Sequence, residues 1–304
     1  PLFSLNRAHE ELSLPAIAEE QFGKGGYIVS AIYSLYFLIM NTFSLSLFLI
    51  LITNTMDPSA AKWSIAVVLT AIALYGAVKG IETISRASIC IFVLFALGFL
   101  LILTALFPRI EPNYMEPLLN EGAGQMLQGA FVFASRCTTL AEFAVLMPFV
   151  RGKKRIGFAV WNSGVTVFVS VLLFFLVACL GEYAYMQIFP VYTLATMAEI
   201  AGIQRLDALL AGLSMMALVI RMACGLFAVS ECWARALKTR PRVWLLSGVS
   251  AVTVLLSLWV TENAERSGLV FRTEWLLALT VSTSVVVPIF IWITDRLKNR
   301  RRRV

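Results

Sequence analysis

Of the 304 residues, 59% are apolar and only 14% charged, with a net charge of +7 and a mean hydropathy of +0.82. Soluble domains are nearer about 45–50% apolar and about 25% charged, and here the apolar residues arrive in almost uncharged runs of roughly 18–28, long enough to cross a bilayer. The composition excludes a soluble globular domain and predicts an all-α integral membrane protein, with the positive charge in short loops rather than on a nucleic-acid face.

The chain opens at Pro1 with no signal-peptide pattern, which reads as an incomplete amino terminus. Residues 1–26 are polar and mildly amphipathic. Leu12, Leu14, Ile17 and Phe22 alternate with Glu10, Glu11, Glu19 and Glu20, and Gly23, Lys24, Gly25 and Gly26 close the segment. This predicts a cytoplasmic interfacial segment. The membrane bundle is expected over 27–295, as eight spans near 27–52, 63–80, 87–107, 125–150, 157–181, 207–233, 243–260 and 273–293. Pro108 stops the third span. Between the fifth and sixth, Tyr192–Ile200 reads as a short helix after Pro190. A basic cytoplasmic tail, 296–304, follows the last span. It reads as a stop-transfer anchor drawn to anionic lipid.

Cys90, Cys137, Cys179, Cys224 and Cys232 lie in apolar spans without ligand spacing, so they read as small packing residues. His9 is the only histidine, and no phosphate loop, nucleophile elbow or zinc motif is present. The expectation is a protein without metal or cofactor that is not an enzyme.

Loop charge sets orientation. Lys79 and Arg86, Arg151–Arg155, Arg235–Arg242 and the tail fall on one side. Asp57, Glu111, Glu116, Glu121, Glu182, Glu199, Glu262, Glu265 and Glu274 fall mostly on the other. By the positive-inside rule both ends of the chain are cytoplasmic.

The fourth span carries Ser135, Arg136, Thr138, Thr139 and Glu142 in its middle, and the sixth carries Arg221. Each ionisable group at depth costs about 2.5–3.5 kcal/mol on insertion scales, so it must be paired, hydrated or used. Arg136 and Glu142 are six positions apart, about 600° around a regular helix and so on different faces. Either the helix breaks between them or each finds a partner on another span, with Glu142–Arg221 the expected pair. Two readings stay open. One is a buried ion pair that only fixes helix register. The other is a ligand site at a discontinuous helix, tolerated at depth only where it lines a cavity. Ser135–Thr139 lacks good helix formers and is expected to unwind. Asn41, Thr42 and Thr280–Ser284 read as interhelical hydrogen-bonding residues.

Three stretches then carry a resemblance. They are Phe189-Pro190-Val191-Tyr192-Thr193-Leu194; Gln204-Arg205-Leu206-Asp207-Ala208; and a following span with central Arg221. Glu142, Pro148 and the basic run Arg151–Arg155 add a fourth likeness. The chain resembles the B-subunit family of spore germinant receptors, within the amino acid–polyamine–organocation transporter superfamily. The resemblance implies a LeuT-like bundle of two inverted five-helix repeats, of which this chain would lack the first two helices. It implies a membrane subunit that senses a small nutrient, an amino acid as the expected class, and triggers spore germination with other receptor subunits in the inner membrane. An amino-acid permease of the same fold is the alternative. Ligand binding is assigned to Ser135, Thr138, Thr139, Glu142 and Arg221. Structural or gating roles are assigned to Arg136, Pro190, Arg205 and Asp207.

Overall fold

The computed structural model describes residues 2–9, 12–115, 122–150, 152–198, 206–234, 243–263 and 273–301. Among them, regular structure is helical throughout. Eight segments are long and apolar enough to cross a membrane: Leu14–Met56, Lys62–Lys79, Ile81–Arg109, Leu127–Phe149, Lys154–Leu180, Leu206–Ala234, Val243–Glu262 and Glu274–Lys298. The eight expected spans are thus present, and the boundaries follow from local chemistry. Pro108 ends the third, Gly80 closes the second at φ 96°, and Gly181 closes the fifth at φ 53°. Asp57 ends the first span. The Ser59 hydroxyl and amide donate to its carboxylate at 2.6 and 2.9 Å and hold it below the usual carboxylate range.

The described residues divide into two compact units. The first draws on Pro1–Ile84, Gly124–Gly152 and Val219–Val304, and the second on Ser85–Ala123 and Lys153–Leu218.

In the first unit, α1 (Leu2–Ala8) and α2 (Leu14–Phe22) precede α3 (Tyr27–Leu51), which passes into a π turn, Ile52–Met56, ahead of α4 (Lys62–Lys79). Tyr33, Tyr36, Phe37 and Met40 recur at helical spacing on α3 and are fully buried. They share a core with Leu14, Ile17 and Ala18 of α2, and with Ala141, Ala144 and Val145. Lipid is as apolar as leucine, so helix association rests on close packing and polar contacts. Both are visible. Gly225 lets the sixth span approach α3 so closely that a Cβ there would lie 2.6 Å from Asn41 Oδ1. In the seventh span, α12 (Val243–Glu262), Ser250, Thr253 and Ser257 form a buried small-residue row.

The amino-terminal segment packs into protein. Glu19 is buried and accepts from Ser30 Oγ at 2.9 Å. Gln21 Nε2 donates to Asp295 at 3.0 Å, His9 lies 3.4 Å from the same carboxylate, and Phe22 stacks on Phe290 at 5.8 Å. Residues near the beginning and the end of the chain therefore meet within this unit.

The second unit is built on α5 (Ile81–Leu106), α8 (Lys154–Leu180) and the short helices α9 (Tyr183–Met186) and α10 (Pro190–Met197). Ile102, Leu106, Phe175, Leu180, Leu194 and Leu206 lie in its core. Pro190 occupies the first turn of α10, where its missing N–H leaves no bond unmade.

Candidate ligand site at a broken span

The fourth span is two helices, α6 (Gly122–Ser135) and α7 (Thr139–Leu146), separated by the non-helical residues Arg136, Cys137 and Thr138. The expected unwinding is present, and it is what separates Arg136 from Glu142. The two helix ends at the gap differ. The last carbonyls of α6 are all engaged. Val132 O accepts from Ser135 Oγ at 2.7 Å, Phe133 O from Arg136 N at 3.1 Å, and Ala134 O from Cys137 N at 3.2 Å. Ser135 O accepts from Thr280 Oγ1 at 3.0 Å. At the other side, Thr138 is the N-cap of α7 but makes no side-chain cap bond to the backbone. The first-turn amides of α7 are then open to a ligand, as at any uncapped helix start.

Glu142 is half-buried in the first helical turn of α7. Its Oε1 accepts from Thr138 Oγ1 at 2.7 Å, and its amide donates to Thr138 O at 2.9 Å. The expected ion pair with Arg221 is not formed among the described residues. A hydroxyl one turn back along the same chain reaches the carboxylate at a spacing any helix enforces, whereas Arg221 sits on another span, α11 (Leu206–Ala234). Both charges nonetheless act on one group. The Tyr36 hydroxyl lies within the fields of Glu142 and Arg221. Tyr36 is fully buried, and its hydroxyl lies beside that of Thr280, which donates to Ser135 O and keeps lone pairs able to accept from Tyr36 Oη.

The remaining expected site residues fall as follows. Ser135 is fully buried and Thr138 nearly so, while Thr139 and Arg221 are half-buried. Arg136 is exposed, with its guanidinium 5.7 Å from the centre of the Phe43 ring. Asp207, in the first turn of α11, is buried and accepts from Tyr192 Oη at 2.7 Å, which ties it to α10. Arg205 lies outside the described residues, as do Arg151, Glu199 and the loops 235–242 and 264–272. No cluster of metal-ligating side chains occurs among the described residues.

The spore permease family model, described as spore germination protein, matches residues 2–266. The chain belongs to this spore germination protein family. Among curated relatives of the family, spore germination protein YndE of Bacillus subtilis (strain 168) is 22% identical over 243 residues. That match covers 78% of this chain and 67% of YndE. No solved structure matches.

One residue at the site carries no signal in the sequence: Tyr36 is one tyrosine among several in an apolar span, and only its place against the gap distinguishes it. Thr280, expected as an interhelical hydrogen-bonding residue, donates to Ser135 O of another span.

Proposed function

We propose that this chain is a membrane subunit of a spore germinant receptor that recognises a small nutrient, an amino acid by class, and triggers germination without catalysing a reaction. The observation that carries the reading is the gap between α6 and α7, bordered by the Thr138–Glu142 hydrogen bond, the Thr280 bond to Ser135 O and the fully buried Tyr36. A zwitterion suits it. Its carboxylate finds the open amides of α7 and the Arg221 guanidinium, and its ammonium finds Glu142 and the negative end of α6. The proposal includes a LeuT-like arrangement and an inner-membrane location with both ends of the chain cytoplasmic. The loop-charge asymmetry and the shared end of His9, Gln21 and Asp295 support that orientation. Other receptor subunits are the expected partners.

The alternative is an amino-acid permease, which the broken span favours equally because both would bind the ligand at a discontinuous helix. The test is made in the full-length protein with an equimolar mixture of the twenty proteinogenic amino acids. Glu142→Gln and Arg221→Gln are expected to raise the concentration for half-maximal germination at least roughly tenfold, as for loss of a charge-assisted hydrogen bond. Membrane levels of the protein should stay normal. Unchanged germination in both variants overturns the site. Uptake of radiolabelled amino acids into vesicles holding the purified protein identifies the permease.

A further inference from the structure

The last span is not one regular helix. α13 (Thr273–Val281) passes through a π turn, Ser282–Val286, into α14 (Val287–Arg301). A π turn holds one extra residue and persists where tertiary contacts retain it. Two such contacts are present. Tyr33 Oη of α3 donates to Thr283 O within the turn at 2.5 Å. Thr280, just before the turn, donates from Oγ1 to Ser135 O at 3.0 Å. Ser284 Oγ, inside the turn, is buried and has no hydrogen-bond partner.

Ser135 O is the terminal carbonyl of α6, next to the gap residues Arg136–Thr138. Val132, Phe133 and Ala134 are satisfied by donors from their own chain turn, so Ser135 is the one of the four whose donor comes from another span. Its position at the carboxyl end of a helix makes it the most attractive of these acceptors for a cation. A primary ammonium donates a charge-assisted bond about twice as strong as that of a neutral hydroxyl. An ammonium-bearing molecule in the gap therefore displaces Thr280 from Ser135 O. The freed hydroxyl then returns to a carbonyl of its own helix, as threonines in spans commonly do.

We infer that the π turn of the last span is a latch released by a primary ammonium, with Thr280 as the positioning residue that exchanges its bond to Ser135 for one within α13. The inference rests on the ligand reading of the gap and adds how occupancy is passed to another span. Affinity and conformational response are thereby linked. The ligand must break one protein hydrogen bond to bind, and breaking it removes one of the two ties on the turn.

The test uses the full-length protein in liposomes, the equimolar amino-acid mixture as probe and the corresponding N-acetylated mixture as control. Amide hydrogen exchange is followed in two segments, 135–142 for binding and 276–291 for the latch. In the wild type the amino-acid mixture is expected to protect 135–142 and to speed exchange in 276–291, and the acetylated mixture is expected to do neither. Thr280→Val is expected to show fast exchange in 276–291 without ligand and to bind the mixture about fivefold more tightly, since one competing hydrogen bond is gone. Thr280→Ser should behave as wild type. Tyr33→Phe removes the other tie and should speed basal exchange while keeping the ammonium-dependent step, so the inference survives or falls even if Thr280→Val does not fold. Protection of 135–142 with no change in 276–291 overturns the latch and leaves the ligand site standing. Absence of any protection in the wild type overturns both.

Discussion

Glu142 shows how far a single residue can be read without its neighbours. A carboxylate in an apolar span announces that something must solvate it, and that much needs no coordinates. The donor is Thr138, one helical turn earlier, and not the arginine of another span. Short sequence separation makes the Thr138 contact nearly automatic once α7 starts where it does, whereas reaching Arg221 depends on how two helices cross. Asp207 poses the same question in the second unit and has a testable answer. Its carboxylate is buried and accepts from Tyr192 Oη at 2.7 Å. Tyr192→Phe leaves that carboxylate short of a donor and is expected to destabilise the protein by about 1–3 kcal/mol. A fall in the midpoint of thermal unfolding in detergent checks this, and an unchanged midpoint shows that another donor suffices.

At the scale of elements, proline, glycine and the lengths of apolar runs marked nearly every boundary. The interruption of the fourth span was also legible, because Ser135–Thr139 joins poor helix formers to a charge that a regular helix would misplace. The two π turns were not. Neither Ile52–Met56 nor Ser282–Val286 carries a residue pattern that separates it from ordinary helix, and the second is tied to another span through Tyr33. Close approach between elements shows the same divide. Gly26 looks like part of a flexible glycine loop, yet a Cβ there would fall 2.3 Å from Glu19 Cα, which is backbone and cannot give way. Gly26→Ala is therefore expected to cost at least about 1–3 kcal/mol through displacement of α2 from α3. Loss of monodisperse, folded protein on size-exclusion chromatography would report it. A fully stable Gly26→Ala protein would mean that α2 can move away without penalty.

For the molecule as a whole, eight crossings and a one-sided distribution of lysine and arginine predict both ends on the cytoplasmic face. A single cysteine placed at Leu297, in a background without Cys90, Cys137, Cys179, Cys224 and Cys232, is expected to react with a membrane-impermeant maleimide only after the membrane is opened. Labelling in intact cells would invert the topology.

Hydropathy, loop charge and helix-breaking composition, all properties of the chain read locally, were enough to determine the class, the number of spans, their limits and the interrupted fourth span. Tertiary structure alone decided which groups meet. It placed Tyr36 and Thr280 beside the gap, gave Ser135 O to Thr280 and left Arg221 without an ion pair to Glu142. The reason is one of range. A span forms from its own residues against a uniform solvent of lipid, but a hydrogen bond between spans requires an approach within about 3.5 Å, which is set by how every intervening side chain packs.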